Sequence, residues 1–511
     1  MIRTLARATA IASAALASTS HAQTFERALG SPGSELANFV TVTEGGGYII
    51  TGRDGSLGNS DPYVAVVDAN DLLFWQRVLL NAPGSLIHDV LVSPDNGVVL
   101  TLGVPNQPGF GRGIVKLDGN AGQVWRRLFP GSATLADIKM TKVPGGGYVF
   151  TGLYEGVGAP GRFPILTRVN ESGDLIWTRV YTHATLGNNL NAKFEDVESI
   201  TITRGAAPER AFIAVGTLST LGAPNDQGRA LVALLDSGGD VIWAYSYGFT
   251  GDALLEAVQV DQAPNEDFLV AGNDLTGGSS RSYLMRLDPN GIMLWETAYL
   301  HFGTGGSMTQ LPSGDVIMCG RTLDPAIPPG QAEMVLLKIN ANNGSPLWAR
   351  AYGGTSFTFG LDATPFASGF ICLGSRLTNN PSGSSDILWV RTDADGRTGC
   401  ERDESITPVS RTPTRVSEPL AAASLTTQSA FLLTPTLVTY AFDSICEPPP
   451  CPQCACEWAP PFNQCDFSDV VAFLTGFGTL DPCACGTELP VGQCDFSDVV
   501  TFLTQFGTGC P

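Results

Sequence analysis

Short apolar runs, each bounded by turn residues, recur along most of this chain in groups of four. In the first group Phe39 to Thr43 alternates apolar with polar, and a glycine turn follows. Tyr48 to Thr51 and Tyr63 to Val67 are then almost wholly apolar, and Leu72 to Val78 comes after another turn. Alternation with a period of two marks a half-buried strand, and a short apolar run between turns marks a buried one. The pattern therefore predicts four strands per group.

Two phrases set the phase of the repeat. The first is a Gly-rich turn and a short apolar run that closes on glycine, at Gly52, Gly103, Gly152, Gly216, Gly272, Gly320 and Gly374. The second is nine residues long, clean in Leu235 to Trp243. It ends on Trp75, Trp125, Trp177, Trp243, Trp295 and Trp348, and from Thr392 it recurs with Cys400 in the tryptophan slot. Its second position is Asp68, Asp118, Asn170, Asp236, Asp288, Asn340 or Asp393, which suits an Asx-turn into the fourth strand. The tryptophans are expected to pack between neighbouring units, since each is a large apolar body with one N–H to satisfy.

Seven units of four strands, roughly fifty residues apart, predict an all-β, seven-bladed β-propeller. The seventh unit lacks a tryptophan strand, yet Phe25-Glu-Arg-Ala-Leu-Gly30 resembles Trp348-Ala-Arg-Ala-Tyr-Gly353. The N-terminal strand is therefore expected to complete the last blade, which removes an open edge.

Residues 1–22 read as an export signal, with Arg3 and Arg7 before an apolar stretch and a Ser20-His21-Ala22 cleavage site. No later run reaches the roughly 18 apolar residues of a membrane span, so a secreted, cell-surface or periplasmic monomer without a transmembrane anchor is expected. The propeller is assigned to 23–400. A Ser/Thr/Pro-rich segment at 401–450 holds one or two closing strands within 429–442 and ends in a stiff Pro linker, and a duplicated Cys-rich module occupies 451–511. A net charge of −20 disfavours nucleic acid as a partner. Only four histidines are present, which argues against a histidine-rich metal centre or a Ser-His-Asp hydrolase.

Cysteines are confined to the C-terminal half. Cys319 and Cys372 are expected to be buried free thiols, and Cys446, if its strand returns to the last blade, is placed to bond Cys400. The tail carries Cys451, Cys454, Cys456, Cys465, Cys483, Cys485, Cys494 and Cys510. Disulfides suit an exported module too small to bury a core, better than zinc does at Cys-x-Cys spacing, and their pairing stays open. Each copy of the duplication, Cys465 to Val471 and Cys494 to Val500, continues into a short helix. In the first, Val470, Phe473, Leu474 and Phe477 form one apolar face.

The Gly-Gly-Tyr-Ile-Ile-Thr-Gly strands resemble those of exported bacterial propellers over residues 24–446. The Leu-Asp-x-x-Gly-x-x-x-Trp phrase also resembles the repeat of quinoprotein dehydrogenases, which implies eight blades and often adjacent paired cysteines. This chain has seven units and no adjacent cysteines. The tail is similar to dockerin-like duplicated modules, which implies docking and calcium loops. Positions 1, 3 and 5 of such a loop are Trp458, Pro460 and Phe462 in one copy and Thr487, Leu489 and Val491 in the other, so calcium is not supported and no cofactor is expected.

Aligning the first strands on the glycine phrase brings Asn38, Asp89, Asp137, Asp196 and Glu256 near one level at the mouth of a central channel. Converging carboxylates repel, and a bound cation or raised pKa values would relieve them. The same residues also read as solvated loop ends or strand caps. The chain has no Walker loop, His-Glu-x-x-His or Gly-x-Ser-x-Gly. Two functions follow. The first is an exported binding protein for an extracellular protein or glycan, docked through its tail. The second is an extracellular carbohydrate enzyme or, further off, a quinone-dependent oxidoreductase.

Overall fold

A computed structural model describes residues 24–446 apart from 31–33, 56–60, 70, 81–84, 94, 106–109, 133–137, 156–160, 205–206, 223–227, 250–253, 276–279, 323–331, 355, 378–384, 426–433 and 438–440. It also describes 470–474, 499 and 502–503. For Thr434–Leu437 and Ala441–Cys446 it describes the backbone alone. Contacts divide the chain into one compact part at 24–448 and a second comprising 1–23 with 449–511.

The larger part is all β. Its described strands form seven antiparallel meanders, each pairing a strand with the next in sequence. Their first strands are Glu35–Val42, Leu86–Val92, Met140–Lys142, Leu190–Arg204, Leu255–Gln262, Phe302–Gln310 and Thr358–Phe366. A single parallel bridge, Arg162 to Asn191, joins the third sheet to the fourth. Each first strand lies against the first strand of the next sheet, and the seventh lies back against the first, so the series is cyclic. In the seventh sheet the fourth position is filled by Phe25–Gly30, with Phe25 opposite Arg391, as the N-terminal repeat predicts.

The nine-residue phrase builds the joint between sheets. Its second residue makes the expected Asx-turn; Asp118 Oδ1, for example, accepts the N–H groups of Asn120 at 2.9 Å and Gly122 at 2.8 Å. The tryptophans reach the corresponding turn of the following sheet. Trp75 donates to the Gly119 carbonyl at 3.0 Å, Trp125 to Glu171 at 3.0 Å and Trp243 to Pro289 at 3.2 Å. Gly173 has φ +76°, and a Cβ there would stand 2.7 Å from the Trp125 ring, so glycine is required for both conformation and contact.

Four residues after the tryptophan, a buried tyrosine adds a second tie. Tyr181, Tyr247, Tyr299 and Tyr352 donate to the carbonyls of Gly239, Gly291, Gly344 and Gly396 at 2.9, 2.6, 3.0 and 2.6 Å. Apolar clusters straddle neighbouring sheets throughout the cycle. Where the tryptophan series ends, Trp389 packs edge-on against Phe25 at 4.7 Å and Tyr48 at 5.6 Å, joining the seventh sheet to the first.

The segment after Cys400 departs from expectation. The strands expected within 429–442 are present as Thr434–Leu437 and the start of Ala441–Cys446, but among the described residues four more precede them, from 402 onward. Arg402–Asp403 pairs the sixth sheet, Thr407–Ser410 the fifth, Thr414–Ser417 the fourth and Leu420–Leu425 the third. Thr434–Leu437 then pairs the first sheet and Ala441–Cys446 the seventh, on the strand Phe25–Gly30. The segment thus runs back around the cycle as a fifth, outermost strand, and it belongs to the same compact part as 24–400. Its strands are mostly exposed and hold by backbone pairing at an edge, so they carry none of the apolar periodicity by which buried strands are read.

Cys319 and Cys372 are buried and free, as expected, and Cys400 is disulfide-bonded. In the C-terminal part, residues 470–474 are helical. Phe473 and Phe502, equivalent positions of the duplication, are buried and stack with centroids 4.0 Å apart and planes 5° apart. Leu474 is half exposed and drops out of the predicted apolar face, while Phe477 and the eight cysteines from Cys451 to Cys510 lie outside the described residues.

Candidate functional site

The first strands converge where the cycle closes, and bulges in them decide which side chains face the axis. Pairing slips between Ala37 and Val40, Ile87 and Asp89, Phe194 and Asp196, Ala257 and Gln259, and Gly360 and Asp362. An extra residue reverses the facing of those beyond it. Phe39, Asp89, Lys139, Asp196, Gln259 and Asp362 therefore form one level of a cavity of about 290 Å³. Thr41, Leu91, Thr141, Glu198, Asp261, Thr309 and Thr364, two residues further on, form the next.

The first strand of a sheet has an open edge whose N–H groups need acceptors. Here the acceptors are side chains of the preceding sheet. Asp89 accepts from Met140 N at 2.7 Å, Asp196 from Val260 N at 2.9 Å and Asp362 from Val40 N at 2.8 Å. At the second level Glu198 accepts from Gln262 N at 2.6 Å and Asp261 from Gln310 N at 3.1 Å. The Gln259 amide both donates to and accepts from the backbone of Met308 at 2.6 Å. The remaining oxygens of Asp89, Asp196 and Asp362 take the N–H of the residue that follows each.

Among the described residues, five carboxylates thus surround one ammonium in this cavity. Burial pushes Asp196 up to about 7, with Asp89 and Asp261 adding to the rise against Lys139 and the Val260 amide. Burial likewise lifts Asp362 to about 6. Glu198 is raised by burial and then by Asp261, and Asp261 by burial. Lys139 Nζ stands 3.6 Å over the Phe39 ring. The same two residues border a second chamber of about 290 Å³ that is more apolar, lined by Leu36, Val258, Phe359 and Leu361 among others.

Of the residues expected at this site, Asp89 and Asp196 line the cavity. Asn38 lies in the second chamber and donates its amide to the Ile87 carbonyl. Glu256 lines neither; its backbone carbonyl accepts the Tyr283 hydroxyl at 3.0 Å, and the bulge after Ala257 gives its place to Gln259 and Asp261. Asp137 lies outside the described residues. Lys139, Glu198, Asp261 and Asp362 were not foreseen. The period-two pairs Asp196/Glu198 and Gln259/Asp261 were the signal for two of these, Glu198 and Asp261.

One other group resembles a catalytic set without forming one. His183 Nε2 is 3.0 Å from Glu418, and the Ser246 hydroxyl also donates to Glu418. The carboxylate stands between serine and imidazole, so the hydroxyl has no base of the triad kind. Among the described residues no three His, Cys, Asp or Glu are placed to hold a metal ion, and no helix is long and apolar enough to cross a membrane.

No protein-family model matches the chain, and no curated protein matches it. Among solved structures, the crystal structure of polysaccharide lyase Uly1 is similar over 71% of this chain and 91% of its own, at 8% identity and a TM-score of 0.43. A likeness of that size decides neither fold nor activity.

Proposed function

We propose that this chain is an exported seven-bladed β-propeller that binds its ligand rather than converting it, and that the axial cavity receives a small, positively charged group of that ligand. The observation that carries this reading is the pinning of the cavity carboxylates. Each has an oxygen committed to a backbone N–H of the neighbouring sheet, which suits a fixed electrostatic seat better than a nucleophile or a proton shuttle. Five such groups against Lys139 leave an excess of negative charge that a cation offsets. The signal at 1–22 delivers the protein outside the cytoplasm, and the duplicated tail docks it to an extracellular partner.

The test is thermal melting of the whole chain with a panel of small organic amines and neutral oligosaccharides, beside a turnover assay on the oligosaccharides. Amines are expected to raise the melting temperature, more at pH 8 than at pH 5, and Glu198→Gln with Asp261→Asn is expected to abolish the effect. Indifference to every amine sinks the cavity as the seat. Oligosaccharide turnover lost in Asp196→Asn sinks the binding reading in favour of a carbohydrate enzyme.

A further inference from the structure

The outermost segment starts beside Cys400 and ends at Cys446, having paired in turn with the outer strands of the sixth, fifth, fourth, third, first and seventh sheets. We infer that the disulfide partner of Cys400 is Cys446, and that this bond buckles residues 400–446 into a covalent belt around the cycle of sheets.

Three observations converge. The first is backbone register: Cys446 lies opposite Glu26 on the strand Phe25–Gly30. The second is the position of Cys400. The buried Glu26 carboxylate accepts the Thr398 hydroxyl at 2.9 Å, and that hydroxyl accepts Cys400 N at 3.2 Å. Both cysteines therefore flank Glu26, one through its backbone and the other through its side chain. The third is parity. Of 12 cysteines, Cys319 and Cys372 are free and eight lie between Cys451 and Cys510, which leaves Cys400 and Cys446 as the remaining pair.

Forming the bond removes one proton from each thiol and two electrons from the pair. The acceptor is an exchangeable protein disulfide of the kind an oxidising export compartment supplies, which leaves as a dithiol. The consequence lies in the shape of the segment. Its strands are two to six residues long, so each holds its sheet edge weakly by itself. A strand that peels from a free end exposes the next, whereas a closed belt has no free end from which peeling can start. Reduction restores that end beside the N-terminal strand that completes the seventh sheet. The belt is thus a redox-dependent clasp on the outer edges.

Digestion of the full-length exported chain without reduction, followed by mass spectrometry, is expected to yield a linked peptide pair containing Cys400 and Cys446. Cys400 linked to any cysteine from Cys451 to Cys510 overturns the pairing, and this result needs no variant to fold. For the clasp, Cys400→Ser with Cys446→Ser leaves the tail untouched. Amide exchange in Thr407–Ser410, Thr414–Ser417 and Leu420–Leu425 is expected to rise by about tenfold or more, while Tyr48–Asp54 in the middle of the first sheet stays protected. Unchanged exchange in all three belt strands overturns the clasp.

Discussion

The inner and outer edges of these sheets are sealed by opposite means. At the axis, neighbouring first strands fan apart and cannot form a ladder, so side-chain acceptors from one sheet reach the N–H groups of the next. At the perimeter there is room for a whole strand, and the belt meets backbone with backbone. The inner solution gathers five carboxylates into one cavity and raises several of them towards neutrality. The outer solution uses little charge of its own and adds a few ion pairs as rivets. The edge closed by side chains therefore acquires chemistry, while the edge closed by backbone acquires only strength.

The largest expected effect breaks an outer rivet. Arg411 of the belt reaches the fifth sheet, pairing Asp274 through one guanidinium nitrogen and Glu296 through two others, and both acids are fully buried. Burial raises Glu296 even with Arg411 beside it. Arg411→Met takes from both buried acids the guanidinium that bridges them, with Arg281 still 3.4 Å from Asp274. The expected loss is about 3–5 kcal/mol in urea unfolding. The first sheet carries Gln76 where the fifth carries Glu296, and adding Glu296→Gln to Arg411→Met is expected to recover much of the loss. A double variant as unstable as the single one would show that the belt strand, and not its charge, was disturbed.

The contrast between edges also explains what the sequence disclosed. The seven repeats, the Asx-turns, the tryptophan joints and the N-terminal strand were legible because each depends on side chains that recur at fixed spacing. Of the belt, the apolar stretch at 429–442 disclosed the closing strands, and the four before it were not legible, because edge pairing by backbone imposes almost no choice of side chain on Thr407–Ser410 or Thr414–Ser417. The axial site was legible in kind but not in detail. Asp89 and Asp196 were found, yet Glu256 was chosen over Gln259 and Asp261 because a bulge, which leaves no mark in the hydrophobic pattern, reverses the facing of the strand. Tyr181, Tyr247, Tyr299 and Tyr352 recur four residues after a tryptophan, a spacing that was visible and went unused.

A smaller effect sharpens the inner edge. Asp196 is buried, its two oxygens accept Val197 N and Val260 N at 2.9 Å each, and its pKa stands at about 7 against an unfolded value near 3.9. A folded pKa raised in this way gives stability that is fully present below about pH 4 and is lost as pH rises through about 7. Asp196→Asn keeps one acceptor and has no charge to bury. It is expected to be less stable than the wild type at pH 4 by about 1 kcal/mol, for one lost hydrogen bond, and to match or overtake it at pH 8. Urea midpoints at the two pH values decide the matter: curves that stay parallel mean that Asp196 is ionised throughout and that the cavity does not hold its proton.

A last effect, no larger than that one, lies between the two edges, at the joint from the sixth sheet to the seventh. The Tyr352 hydroxyl donates to the Gly396 carbonyl at 2.6 Å, both within a buried contact that also holds Trp348 against Gly396. Tyr352→Phe removes one hydroxyl and leaves one carbonyl short of a donor, for an expected loss of about 1 kcal/mol. The second sheet already carries Phe129 at the corresponding position and Phe129 is fully buried, so the ring fits without its hydroxyl. Amide exchange at the axis and along the belt is expected to stay as in the wild type. A loss above about 3 kcal/mol, or faster exchange in Arg402–Asp403 and Thr358–Phe366 together, would mean that the two edges are coupled through this joint and are not sealed independently.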